Sequence, residues 1–130
     1  MAALPDRITA VAYLASNGEL AWRRSDIATA LFAIAESGQA TLGGEVWVAM
    51  GNGQWVGMIP DAAGGPPGVW HWDTAPQAAG ENWPAYCRRA AAESARVLAA
   101  MRVEEESHPA VRDRLYFNIT YVSQAEAHQA

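Results

Sequence analysis

Residues 44–59 read GEVWVAMGNGQWVGMI, which places two β-rich runs on either side of a Gly51-Asn52-Gly53 turn. An Asn-Gly pair between two such runs is the strongest local signal for a β-hairpin, because a type I′ turn requires positive φ at both of its central residues. The sequence therefore predicts strands over 45–49 and 54–59 joined by a tight turn.

A third strand is predicted over 69–73. Side chains alternate along a strand, so Trp70 and Trp72 share one face while His71 and Asp73 share the other.

The last strand is predicted over 115–122, in a central or well-covered position in the sheet. Its large apolar side chains fall on one face, namely Leu115, Phe117, Ile119 and Tyr121.

Apolar spacing predicts two helices before the hairpin. The first covers about residues 5–15, with a strand over 8–13 as the alternative. The second covers about 25–37, since Ser25 is a good N-cap and Gly38 can take the left-handed conformation that ends a helix.

A third and longest helix is predicted after Asn82, which can cap it, with Pro84 in its first turn. The stretches 60–68 and 74–80 are predicted to be loops, because the first is rich in Gly and Pro and neither shows strand alternation. The polar tail from Ser123 onward is expected to fray.

Runs of strands, in place of strict strand–helix alternation, favour the α+β class. We expect a mostly antiparallel sheet of about four strands covered by two or three helices. The chain is predicted to be a single domain over 1–130, with 1–4 and 124–130 frayed.

Composition excludes several classes of protein. With 51 % apolar residues and six Trp, the chain is not expected to be disordered, and no apolar run approaches the ~20 residues of a membrane span. The formal net charge of −5 and the absence of a basic cluster argue against binding to nucleic acid. The single cysteine, Cys87, excludes an intramolecular disulfide. We expect a cytoplasmic protein without a secretory signal.

The sequence contains few candidates for catalysis, and no catalytic residue, metal ligand or cofactor is predicted. The three histidines fit no zinc-site spacing, and a chain without lysine cannot form a Walker-type phosphate loop. His71 and Asp73 are the best local pair for acid–base chemistry, because residues two apart on a strand share a face. Cys87 lies on the apolar stripe of the long helix, which favours a buried structural role.

Several short motifs stand in a recognisable order along the chain. They are ELAWRR (19–24), LGGEVW (42–47), Asn82-Trp83, Tyr86, Arg88-Arg89 and YFNITY (116–121). Their order resembles that of the small α+β immunity proteins of bacterial polymorphic toxin systems, in particular the immunity protein 40 family. The likeness spans residues 19–122.

The resemblance implies a protein that is not an enzyme and that binds a cognate toxin domain in the producing cell. An acidic chain suits a nuclease-type toxin with a basic active cleft, because opposite potentials accelerate association. As a hypothesis, the partner-binding surface combines aromatic anchors with a rim of acidic side chains. Its proposed residues are Trp55, Asp61, Trp70, Trp72, Asp73 and Glu81.

Two alternatives from other classes remain open. A small-molecule-binding domain or a minor enzyme would place His71, Asp73 and Glu45 around one concave pocket. An oligomeric interaction module would instead bury Trp55, Trp70 and Trp72 in a symmetric interface.

Overall fold

A computed structural model describes residues 4–57 and 70–128 as helices packed against one face of an antiparallel sheet. The strands are β1 (Tyr13–Leu14), β2 (Leu20–Trp22), β3 (Gln39–Gly51), β4 (Gln54–Gly57), β5 (His71–Asp73) and β6 (Leu115–Ser123). The helices are α1 (Asp6–Thr9), α2 (Arg24–Glu36), α3 (Trp83–Ala100), α4 (Val103–Glu106) and α5 (Gln124–Ala127), with a 3₁₀ helix over Pro109–Arg114. This is the predicted α+β class.

The central hairpin forms at the predicted turn. Asn52 and Gly53 have φ values of 55° and 77°, the left-handed conformation that a type I′ turn requires. β3 is much longer than the predicted strand, because it continues back to Gln39 along the whole length of β6.

The strands follow the order β1-β2-β6-β3-β4, with β5 also paired to β3, and every pair is antiparallel. β6 lies between β2 and β3, which confirms its predicted central position. The sheet exceeds the predicted four strands because β1 and β2, of two and three residues, also pair.

β4 and β5 occupy the same edge of β3, one after the other. Gly57 pairs with Trp47 on β3, and His71 pairs with Glu45 two residues further along. The predicted loop over 60–68, and the inner ends of the strands predicted on either side of it, lie outside the described residues.

The main core lies between the sheet and the helices α2 and α3. Its largest fully buried apolar side chains are Trp22, Leu31, Ile34, Val46, Leu98 and Phe117. The apolar face predicted for β6 packs in this cluster, where it meets apolar residues that recur at helical spacing on α2. Among the described residues, no helix is long and apolar enough to cross a membrane.

The first predicted helix is wrong beyond Thr9. The chain instead turns at Gly18, whose φ is +90°, and β1 pairs with β2. Pairing with the sheet gives hydrogen-bond partners to backbone N–H and C=O groups that a short isolated helix would leave unpaired. Tertiary structure therefore overrides the helix that the apolar spacing predicts.

The remaining helix boundaries follow local capping chemistry in most cases. α2 starts one residue earlier than predicted and has Arg23 at its N-cap position, so Ser25 does not cap it. At the other end, Gly38 follows the helix with a φ of +82°, the left-handed conformation that was predicted. Asn82 caps α3, because its Oδ1 accepts a hydrogen bond from Ala85 N at 2.9 Å. The tail that was expected to fray forms the short helix α5, which begins with a capping box at Ser123.

Candidate functional site

The face of the sheet opposite α2 and α3 is curled, and one end of it is closed. Ser16 N donates a hydrogen bond to Gly53 O at 2.9 Å, which joins the β1 side of the sheet to the hairpin turn. Beneath this contact Trp47 is fully buried and stacks on Trp55, with ring centroids 4.1 Å apart and planes at 8°. An aromatic cluster therefore seals this end.

The other end of the same face is an open cleft of about 410 Å³. It is lined by Glu19, Leu42, Gly43, Gly44, Glu45, His71, Trp72, Asp73, Asn118 and Thr120. Strand register explains this convergence, since paired residues of antiparallel strands point to the same side. Glu45 pairs with both His71 and Asn118, and Gly43 pairs with Asp73 and Thr120.

Two glycines of β3 line the cleft. A Cβ atom on Gly43 would lie 2.2 Å from the carbonyl oxygen of Trp72, and one on Gly44 would lie 1.9 Å from that of Asn118. Neither position accepts a side chain, because the neighbouring strands approach too closely. Gly43 pairs with Asp73, which lines the cleft, whereas Gly44 pairs with Trp72, whose ring packs in the main core.

The cleft is acidic. Glu19, Glu45 and Asp73 contribute three carboxyl groups, and none of the described residues that line it is an arginine. One oxygen of Glu45 accepts a hydrogen bond from Trp47 Nε1 at 2.9 Å, so this carboxylate is held by the aromatic cluster. Like charges gathered on one concave surface produce a negative potential that attracts basic groups.

These acidic groups do not converge on a metal site. Within 4–57 and 70–128, no group of three or more His, Cys, Asp or Glu side chains is placed to hold a metal ion. The carboxyl groups are distributed along the cleft. This arrangement is complementary to an extended cationic surface or to a ligand with several hydrogen-bond donors.

The structure brings only part of the predicted partner-binding set to this face. Asp73 lines the cleft and is exposed. Trp55 is half-buried against Trp47, and Trp70 is half-buried against the main core. Asp61 lies outside the described residues.

Trp72 is a core residue and not an exposed anchor. Its side chain is 4 % exposed, and its Nε1 donates a hydrogen bond to Ser94 Oγ on α3 at 2.9 Å. Alternation along β5 does place Trp70 and Trp72 on one face, but that face packs against the helices. Trp72 is therefore equally unable to supply a symmetric interface between copies of the chain.

Glu81 is held by an intramolecular ion pair. Its carboxylate accepts hydrogen bonds from Arg89 Nε at 2.7 Å and Arg89 Nη2 at 2.8 Å, and another from Ala78 N at 3.0 Å. The Arg89 guanidinium is the main reason that the pKa of Glu81 falls to about 2. Glu81 thus orders the segment before α3 and is not part of the acidic cleft.

Sequence reasoning missed Glu19, Asn118 and Thr120 as members of the site. Asn118 and Thr120 alternate with the apolar residues of β6, so the polar face of this strand was visible in the sequence. Nothing in the sequence indicated that Glu19, in the turn before β2, would reach the same cleft.

Comparison with family models, curated proteins and solved structures finds no match to this chain.

Proposed function

We propose that this chain is an immunity protein that binds a cognate bacterial toxin domain and neutralises it by stoichiometric contact, without catalysis. The observation that carries the proposal is the cleft lined by Glu19, Glu45 and Asp73, with no arginine among its described residues, on a chain of net charge −5. The order of motifs that resembles the immunity protein 40 family supports it.

The electrostatics indicate how such a protein would act. A nuclease-type toxin carries a basic cleft for its substrate, and an acidic concave surface complements that cleft in sign and shape. Association would be accelerated by the opposite potentials, and occlusion of the basic cleft would then exclude the toxin's substrate. The proposal places this binding in the cytoplasm of the cell that produces the toxin.

The test is co-expression with the toxin domain that the proposal expects a neighbouring gene to encode. We expect the chain to restore growth and to co-purify with the toxin domain in a fixed ratio. The variant E19Q/E45Q/D73N should lose both effects, whereas E36Q/E106Q/D113N, which removes the same charge from exposed positions elsewhere, should keep them. Separate elution of toxin and wild-type chain, without rescue of growth, would overturn the proposal.

A small-molecule-binding domain is the second candidate. The observation in its favour is that Glu45, His71 and Asp73 do line one cleft. Thermal unfolding of the purified chain against a panel of cationic metabolites tests it. A saturable rise in Tm that is abolished by Asp73→Asn would favour this candidate over an immunity function.

A further inference from the structure

The turn between β3 and β4 carries an exposed Asn-Gly pair, which the proposed function does not use. Asn52 is exposed and is followed by Gly53, where the chain reverses direction between the two strands. The amide carbon of an Asn side chain, Cγ, can be attacked by the backbone nitrogen of the next residue. A following glycine leaves that nitrogen unshielded because it has no Cβ. The tip of the hairpin therefore places an electrophile and a nucleophile next to each other.

The reaction between these two groups is a deamidation. Gly53 N forms a bond to Asn52 Cγ while the bond from Cγ to the side-chain nitrogen breaks, and that nitrogen leaves as ammonia with the proton of the Gly53 amide. Water then opens the five-membered imide. Addition of water at Cγ restores the normal main chain as an aspartyl residue, whereas addition at the main-chain carbonyl carbon leaves an isoaspartyl link that runs through Cβ. No oxidant or reductant takes part.

The folded turn holds the two reacting atoms apart. Asn52 has a φ of 55°, and a type I′ turn combines this left-handed φ with a ψ of about +30°. Tetrahedral geometry at Cα then puts Gly53 N on the far side of the Cα–C bond from Asn52 Cβ, whereas ring closure requires both atoms on the same side. Attack therefore requires the turn to open, and the reaction rate follows the fraction of chains in which it is open.

Two hydrogen bonds from the β1 side of the sheet hold this turn in place. Ser16 N donates to Gly53 O at 2.9 Å, and the Tyr13 hydroxyl donates to Gln54 O. Together they form a clasp between the turn and β1. The approach is close, since a Cβ atom on Gly53 would lie 2.8 Å from Ser16 N. The clasp must break before the turn can rearrange, so it controls access to the reactive conformation.

We propose that Asn52 is a deamidation site whose rate is limited by the clasp, and that the isoaspartyl product opens the end of the sheet sealed by the aromatic cluster. The isoaspartyl link adds a methylene to the main chain of a two-residue turn, so Gly53 O and Gln54 O no longer meet their donors. The aspartyl product keeps the normal main chain, and Asp-Gly also favours a type I′ turn, so it leaves the seal intact. This inference does not depend on the immunity function.

The first experiment follows the conversion of Asn52 by mass spectrometry while the purified chain is incubated at mildly alkaline pH. Tyr13→Phe removes one hydrogen bond of the clasp and should speed conversion by about threefold or more, because loss of a single hydrogen bond raises the open fraction by that order. Tyr116→Phe removes the hydroxyl of the ring packed against Tyr13, with centroids 5.3 Å apart, and should leave the rate unchanged. Asn52→Gly retains a turn-forming pair and should show no conversion at this position.

A peptide of residues 50–56 gives the rate without the clasp, since an isolated hairpin is not stable in water. It should convert at least about tenfold faster than the folded chain, and this comparison needs no variant. Equal rates in the peptide and the folded chain, or equal acceleration by Tyr13→Phe and Tyr116→Phe in chains with dispersed amide spectra, would overturn control by the clasp. Conversion of the peptide alone, with none in the folded wild type or Tyr13→Phe, would mean that Asn52 is not a site in this protein.

The second experiment tests the effect on the sealed end of the sheet. Chains that carry the isoaspartyl link are separated by chromatography from the unconverted and aspartyl chains, and hydrogen exchange of the Ser16 amide, which donates to Gly53 O, is measured. We expect exchange at least about tenfold faster than in the unconverted chain. Asn52→Asp has the same charge and a normal main chain, so its exchange should stay within about twofold of wild type. Unchanged exchange in the isoaspartyl chain, or equal acceleration in Asn52→Asp, would overturn the opening of this end.

Discussion

Gly44 lies where β5 and β6 approach β3 too closely for any side chain. A Cβ atom there would lie 1.9 Å from the Asn118 carbonyl oxygen and 2.3 Å from Cη2 of Trp72. The first neighbour is strand backbone, and the second belongs to a ring that is hydrogen-bonded to Ser94, so neither can move cheaply. Gly44, whose backbone lines the cleft, is therefore required for the packing of β5 on β3.

Gly44→Ala should accordingly destabilise the protein by about 3 kcal/mol or more, measured as the free energy of unfolding in urea. Gly18→Ala is the matched control. No atom lies within 4 Å of its added Cβ, so only the backbone strain at φ +90° is expected, about 1–2 kcal/mol. Equal losses in the two variants would contradict the close approach of the strands at Gly44.

Among the secondary-structure elements, Arg24 joins α2 to the end of α3. Its Nη1 donates to Leu98 O at 2.7 Å, and its Nη2 donates to Met101 O at 2.9 Å. It also forms an ion pair with Glu104 on α4, and its guanidinium lies 4.9 Å from the centre of the Phe117 ring. These contacts add side-chain donors to carbonyl groups at the C-terminal end of α3, where backbone donors are few.

Arg24→Ala should lower the free energy of unfolding by about 2 kcal/mol, because several hydrogen bonds and the ring contact are lost together. Arg24→Lys should recover less than half of this, since an ammonium group cannot reproduce the planar fork. Arg96→Ala, at an exposed position of α3, serves as the control and should stay within about 0.5 kcal/mol of wild type. Full recovery by lysine would show that charge alone matters at this position.

A second arginine fixes the segment that leads into α3. Arg89 binds Glu81 and, at 2.8 Å, Glu93, and it donates hydrogen bonds to the carbonyl oxygens of Ala75 and Pro76. Arg89 and Glu93 stand one helical turn apart on α3. The guanidinium lowers the pKa of Glu81 from its usual 4.5 to about 2.

The pKa of Glu81 predicts a pH dependence with a definite sign. Because it is lower in the folded state, the ion pair contributes stability above about pH 4.5, and this contribution is lost as the pH falls toward 2. Arg89→Leu returns Glu81 toward its usual pKa, so the variant should lose less stability than wild type between about pH 5 and pH 3. Arg88→Leu, at the exposed neighbouring position, should retain the wild-type slope. Urea unfolding across this range provides the measurement.

The elements that the sequence predicts well are those decided by neighbouring residues. The turn at Asn52-Gly53 and the cap at Asn82 depend on local backbone chemistry, and both form as predicted. The first helix fails beyond Thr9 because pairing of β1 with β2 depends on β6, far away in the chain. The sequence indicated the cleft only in part: a pocket of His71, Asp73 and Glu45 was one alternative, and these three do line it. Glu19, Asn118 and Thr120 were missed because they come from other segments, whose register only the folded sheet defines.

At the scale of the whole molecule, the two faces of the sheet have different roles. One face buries the main core against α2 and α3, whereas the other exposes three carboxyl groups in a cleft. Like charges on one concave surface repel, so the acidic cleft should reduce the stability of the folded chain. A surface that lowers the stability of the fold is expected where its residues serve binding and not folding.

The cleft variant E19Q/E45Q/D73N should therefore be at least as stable as wild type, although the proposed function requires that it lose binding to the toxin domain. Its Tm should equal or exceed that of wild type at low ionic strength, and any increase should shrink as salt screens the repulsion over about 10 Å at 0.1 M. Gln at position 45 retains an acceptor for Trp47 Nε1, so the aromatic cluster keeps its hydrogen bond. Thermal unfolding at several salt concentrations measures this, with E36Q/E106Q/D113N as the equal-charge control. A marked fall in Tm confined to the cleft variant would mean that these carboxylates stabilise the fold, and their placement would then need no binding partner to explain it.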